Sequence, residues 1–198
     1  MRLACTRRRL GVLGLTVLTM VTACSDSKSD ATQAQTELDR ALRDHAAGNL
    51  DEAKKEYDKV LQLDARNQYA LYNLGLIAQT QGDAATAEQN YRKALEINPS
   101  FAAALFNLAT IRATAGATDE AVNLYRQVLV SQPDNAGANL NLGLLLMKGG
   151  RTDEGTALVA KALQLDPTLV ARVPGATPAT TAAPASPEST EPTETTTG

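Results

Sequence analysis

The chain has 198 residues and a formal charge of −3, and removing residues 1–23, which hold Arg2, Arg7, Arg8 and Arg9 but no acid, takes that charge to −7. No basic stripe then remains to meet phosphates, which excludes nucleic acid as a partner. The two cysteines, Cys5 and Cys24, both lie at the extreme N-terminus, so a disulfide framework is excluded for the rest.

Residues 1–23 place four arginines ahead of the apolar run Leu10–Val21. This is the charge-then-apolar order of a secretory signal, too short to span a bilayer comfortably. Directly after it stand Val21, Thr22, Ala23 and Cys24. The four resemble the lipobox of bacterial lipoproteins, an aliphatic residue and two small ones before a cysteine. The resemblance implies a diacylglycerol on the Cys24 thiol, cleavage before Cys24, a palmitate-type acyl anchor and residence on the extracytoplasmic face of the cell membrane. Stable anchoring needs two or more acyl chains, at ~0.8 kcal/mol per buried methylene. Residues 24–33, opening Ser25-Asp26-Ser27-Lys28, read as a polar tether.

From residue 34 the dominant signal is a period. Gly48, Gly82, Gly116 and Gly150 are spaced by 34 residues, and the same offset aligns Ala53, Ala87, Ala121 and Gly155, then Tyr57, Tyr91, Tyr125 and Val159, then Leu61, Leu95, Leu129 and Leu163. A fixed period of that size means a solenoid. Within one period Leu71, Leu74, Gly75 and Ala78 recur at helical spacing, as do Ala84, Ala87, Tyr91, Ala94 and Leu95 beyond Gly82. Each period therefore predicts a helix, a glycine turn and a second helix. The small residues at 75/87, 109/121 and 143/155 let paired helix backbones close to ~8–10 Å, with the tyrosines filling the space beside them. Acids at 51–52, 83, 119–120 and 153–154 suit the positive end of the second helices. Pro99, Pro133 and Pro167 stop those helices, since proline lacks the donor the next turn needs.

Through Asn73-Leu74-Gly75, Gly82-Asp83, Ala87, Tyr91, Ala94-Leu95 and Pro99 the pattern resembles the tetratricopeptide repeat family. The fold class expected is all-α, a right-handed α-solenoid of four repeats at 34–67, 68–101, 102–135 and 136–169. The outer units depart from the pattern, with Glu37 and Arg40 in the first and Asn139 and Val159 in the fourth at positions where apolar bulk is usual. Terminal repeats of a solenoid have a face that no neighbour covers, and polar residues suit it. A closing helix is missing. Thr168–Val173 either form a turn of helix or leave an apolar edge that a partner or a second copy covers; the reading favours the edge. Residues 170–198 are rich in Pro, Thr and Ala and read as a disordered tail.

The first helix of each unit carries a second apolar stripe, running Tyr69, Tyr72, Leu76, Gln79; Ala103, Phe106, Thr110, Ala113; and Gly137, Leu140, Leu144, Met147. The resemblance makes this the inner, partner-binding wall, with Asn73, Asn107 and Asn141 beside it, one per repeat, in the place where peptide-binding members hold a ligand backbone. The expected groove is Tyr69, Tyr72, Asn73, Leu76, Phe106, Asn107, Leu140, Asn141 and Leu144. Only Lys148 lies close in register as a cation, so the expected ligand is a protein or peptide segment of neutral to apolar character. His45 has no second His or Cys to share a metal, and neither a phosphate loop nor a nucleophile elbow occurs. The function expected is a membrane-anchored scaffold in cell-envelope assembly, with no enzyme activity, cofactor or metal. The alternative is a self-associating structural lipoprotein whose uncapped last repeat drives oligomerisation.

Overall fold

The computed structural model describes residues 22–175, with side chains from Ser29 onward, and the expected signal segment and most of the tail lie outside these. Eight α-helices follow one another among the described residues: α1 (Thr22–Ala46), α2 (Leu50–Leu63), α3 (Gln68–Thr80), α4 (Ala84–Ile97), α5 (Ala102–Thr114), α6 (Thr118–Ser131), α7 (Ala136–Lys148) and α8 (Thr152–Leu165). A 3-10 turn, Pro167–Arg172, ends the series. The chain divides into two units, Met1–Ala104 and Leu105–Gly198.

The glycine positions set the hairpins. Gly48, Gly82, Gly116 and Gly150 have φ between 80° and 83°, a region that side chains with a Cβ rarely adopt. Each closes its helix in the same way. The amide of Gly82 donates to the Gln79 carbonyl at 3.1 Å and that of Asp83 to Ala78 at 2.9 Å, satisfying carbonyls the helix would leave orphaned. The next helix starts at once, with Asp83 accepting from the Thr86 amide at 3.0 Å. The first helices of their hairpins begin on side-chain caps too: Asn67 accepts from the Ala70 amide and Asn135 from Ala138, at 3.0 and 2.9 Å.

In the first unit α1 packs on α2, α2 on α3 and α3 on α4. A core of Leu38, Ala41, Ala53, Tyr57, Val60, Ala70, Leu74 and Ile77 runs through the first three of these helices. The two polar residues noted in the first repeat, Glu37 and Arg40, join an ionic cluster with the second helix. Arg40 lies 3.2 Å from Glu37 and 3.6 Å from Glu56, and Lys59 lies 3.9 Å from Glu37. Glu56 is buried, and its Oε2 finds no hydrogen-bond partner. Burial, and then the neighbouring Asp44 carboxylate, push its pKa up, against the pull of Arg40 and Lys59. Residues 24–33, expected as a tether, have helical backbone continuous with α1.

In the second unit α6 packs on α7 and α7 on α8. α7 and α8 approach closely, and a Cβ on Gly143 would sit 2.7 Å from the Gly155 carbonyl oxygen. The small-residue pair at 143/155 thus lets backbone meet backbone, as its spacing suggested. Asn139 is buried, yet its amide donates to the carbonyls of Pro133 and Asn135 at 3.0 and 2.9 Å. The end of the last hairpin is not left bare. Asp166 caps the 3-10 turn through the Thr168 amide, and the turn brings Leu169 and Val173 against the core of Leu140, Val159 and Ala162. Proline at the first turn position already has the φ a helical turn needs, which explains why this short stub folds rather than leaving an apolar edge.

Candidate functional site

Three buried tyrosines, one each on α2, α4 and α6, organise their hairpins. Tyr57, Tyr91 and Tyr125 occupy the same position in successive repeats, and their rings are almost wholly excluded from solvent. Gly75 has no Cβ because the Tyr91 ring takes that space: an added Cβ would lie 2.5 Å from Cε1. A buried phenol needs a partner for its hydroxyl, and the partner differs in each repeat. His45 Nδ1 lies 3.3 Å from the Tyr57 hydroxyl, with the rings edge to face. The Tyr91 hydroxyl donates to Gln79 Oε1 at 2.8 Å. His45 and Gln79 are equivalent residues one period apart; the next in the series is Ala113, which offers nothing.

In the third repeat, therefore, the tyrosine turns elsewhere. Its hydroxyl lies 2.9 Å from Thr110 Oγ1 and accepts from Asn141 Nδ2 at 3.0 Å. Asn141 Oδ1 in turn accepts from Arg172 Nη2 at 2.9 Å. The space above Ala113 stays open as a pocket of about 270 Å³, lined by Thr110, Ala113, Thr114, Tyr125, Asn141, Leu144, Leu145, Lys148 and Arg172. Burial raises the pKa of Tyr125, opposed by its bonds to Thr110 and Asn141 and by the Arg172 charge, so the phenol is protonated and can donate at neutral pH. In the fourth repeat Val159 replaces the tyrosine, and Met147 lies over Gly155, where an added Cβ would come 2.5 Å from Met147 Cγ.

In the first unit the expected groove residues form an aromatic face. Tyr69 is half exposed at 52% and meets Phe101 edge to face with centroids 5.7 Å apart. Tyr72 is partly buried between Phe101 at 5.0 Å and Tyr91 at 5.7 Å. Asn73 donates to the Tyr69 carbonyl of its own helix at 2.8 Å, and Leu76 is partly exposed. In the second unit Phe106 packs on Tyr125 at 5.5 Å and over Gly137. Asn107 and Leu144 are partly exposed. Leu140 corrects the sequence reading, because it is fully buried in the core of the last hairpin and lines no groove. Leu144, one turn further along α7, packs against the edge of that core and stays partly exposed, whereas Leu140 is wholly within it. The lipidation residue Cys24 falls in α1, among residues whose side chains are not described.

Profiles of the tetratricopeptide repeat match residues 45–67, 69–101 and 106–169, which together span more than half of the chain and fall in the hairpin register described above. The chain belongs to the tetratricopeptide repeat family. Solved structures of tetratricopeptide proteins share its fold. A crystal structure of the MamA protein matches at 23% identity and a TM-score of 0.60, over 72% of this chain and 78% of that one. MamA from Desulfovibrio magneticus RS-1, residue 41 to its end, matches at 22% identity and 0.61, over 68% and 76%. PilF of Pseudomonas aeruginosa matches at 22% and 0.61, over 70% and 64%. No curated protein sequence matches the chain. The tetratricopeptide hairpins make this chain a scaffold for protein–protein interaction, and the family is generally non-catalytic. Among the described residues no cluster of His, Cys, Asp and Glu could hold a metal ion, and no helix is long and apolar enough to cross a membrane.

Proposed function

We propose that this tetratricopeptide chain is a lipid-anchored scaffold on the outer side of the cell membrane, holding a protein partner against the inner-helix faces of its hairpins in cell-envelope assembly. The observation that carries the interaction surface is the aromatic face of Tyr69, Tyr72 and Phe101. A half-exposed tyrosine braced edge to face by a phenylalanine is rigid, apolar and tipped by a hydroxyl, the combination that contributes most at interfaces. Neutral to apolar segments fit that face, since none of its three side chains carries charge. The anchor rests on the Val21–Cys24 sequence and its place after an apolar run.

Crosslinking in intact cells followed by mass spectrometry tests the interaction. The wild-type chain is expected to capture a protein that Tyr69→Ala captures at most a tenth as well, about 1.4 kcal/mol. Equal capture by the variant removes the aromatic face from the account. For the anchor, Cys24→Ala is expected to accumulate as an uncleaved precursor that takes up no labelled palmitate, and unchanged labelling would overturn it.

A further inference from the structure

The pocket above Ala113 has a chemistry that the aromatic face lacks. Its rim carries two cations, Lys148 on α7 and Arg172 on the 3-10 turn. Among the described residues neither meets a carboxylate within ion-pair distance. Nine other basic side chains among these residues do, from Arg40 on Glu37 to Lys161 on Asp134, while Arg43, Arg66 and Lys93 likewise stand without a carboxylate but line no common opening. Arg172 is steered to this place by a single neutral bond to Asn141, which leaves most of its five donors uncommitted. The floor is the Tyr125 hydroxyl, already engaged with Thr110 and Asn141, with Thr114 beside it, and the walls of Ala113, Leu144 and Leu145 are apolar, so the two cations are the groups left to meet a ligand's charge.

We infer that this pocket binds the carboxylate side chain of a glutamate presented by an internal segment of the partner, with Arg172 and Lys148 as its counter-charges. The inference rests on the interaction reading above and adds a charged determinant to it. Three features select the ligand. Two cations at one opening, with no carboxylate on either among the described residues, favour an anion, and Arg offers a planar fork that a carboxylate matches in pairs of bonds. The apolar walls suit the methylenes of a glutamate stem. A volume of about 270 Å³ lies below the range of sites for whole small molecules, roughly 300–1,000 Å³, and is closer to the space one inserted side chain needs. Asn141 is engaged by Tyr125 and by Arg172, so recognition falls to the cations rather than to its amide. The wall that the sequence presented as nearly neutral thus gains its second cation from outside the repeats.

Fluorescence anisotropy on the full chain in mild detergent tests this with three labelled heptapeptides of alanine and leucine. One is capped at both ends with a central glutamate, the second has glutamine there, and the third has glutamine and a free C-terminal carboxylate. The expected result is binding of the glutamate peptide at least about tenfold tighter than either other peptide, the scale of a charge-assisted hydrogen bond. Lys148→Gln is expected to weaken it about threefold and Arg172→Gln at least about tenfold, with the advantage shrinking as salt rises. Lys148 is exposed, so its variant separates lost charge from lost fold. Equal affinity for the glutamate and glutamine peptides, preference for the free terminus, indifference to both substitutions, or no binding at all overturns the inference. Equal affinities that still fall with Tyr69→Ala would sink the charged pocket while leaving the scaffold reading in place.

Discussion

The hairpins α3–α4 and α5–α6 bury the same tyrosine in the same place and differ in what the hydroxyl finds. In the first, Gln79 stands over Tyr91 and accepts its proton at 2.8 Å. In the second, alanine at the equivalent position leaves Tyr125 reaching sideways to Thr110 and Asn141, beneath a cavity. Alanine in place of glutamine, together with Thr110 where the other repeat has Leu76, separates an open repeat from a closed one. The lesson is that a repeat protein can make a site by subtraction. The fold needs the tyrosine ring and is indifferent to which neighbour satisfies its hydroxyl, so that neighbour can change without loss of the hairpin.

The largest expected effect tests what the two hairpins share. Tyr91→Ala and Tyr125→Ala should each cost about 3–5 kcal/mol, read as a drop in the midpoint of thermal or urea unfolding, because both rings fill space no neighbour can reclaim. Loss in only one hairpin would break the equivalence. A smaller effect tests what they do not share. Gln79→Ala removes the acceptor of the Tyr91 hydroxyl and should cost about 1 kcal/mol, whereas removing the side chain at 113 has already happened in the natural chain. An unaltered unfolding midpoint for Gln79→Ala would mean that the bond contributes nothing and that the difference between hairpins is one of shape alone.

The smallest effect falls outside both hairpins, in α1–α2, where the comparison is with a buried acid. Glu56 is held above the ordinary carboxylate range by burial and by Asp44. A group whose folded pKa is raised binds protons more tightly when folded, so its stabilising contribution is complete at pH below the unfolded value and is lost as pH climbs through the folded one. Stability of the chain should therefore decline over that window, and Glu56→Gln should flatten the decline. The check is urea unfolding at a series of pH values, and an identical slope in the variant would show that Glu56 is not the titrating group.

Much of this fold is legible in the sequence because a solenoid repeats its instructions. The 34-residue spacing of Gly48, Gly82, Gly116 and Gly150 locates the turns, their φ values near +80° explain the choice of residue, and Pro99, Pro133 and Pro167 follow directly on the ends of the second helices. The end of the fourth repeat is not legible, because a six-residue stub carries no periodicity and its fold depends on Asp166 as a cap and on Leu169 and Val173 finding a core laid down elsewhere. The site was legible only in part. Stripe positions such as Thr110, Ala113, Asn141 and Leu144 follow from helical spacing, but whether a stripe residue faces inward or outward depends on the third dimension, and Leu140 went inward. Arg172 lies outside every repeat, so no alignment of periods could place it beside Asn141. The sequence does carry one signal of the open repeat: the series His45, Gln79, Ala113, Met147 loses its polar character where the tyrosine series has not yet ended.

The substitution Ala113→Gln restores in the third repeat the side chain that closes the second. It should fill the pocket, supply Tyr125 with a new acceptor and leave the unfolding midpoint unchanged or slightly raised. Titrating the variant with the glutamate-bearing peptide is the most direct test of a site made by subtraction. At least about a tenfold loss of affinity with no loss of stability is expected; wild-type affinity in a stably folded Ala113→Gln chain would overturn a site made by subtraction.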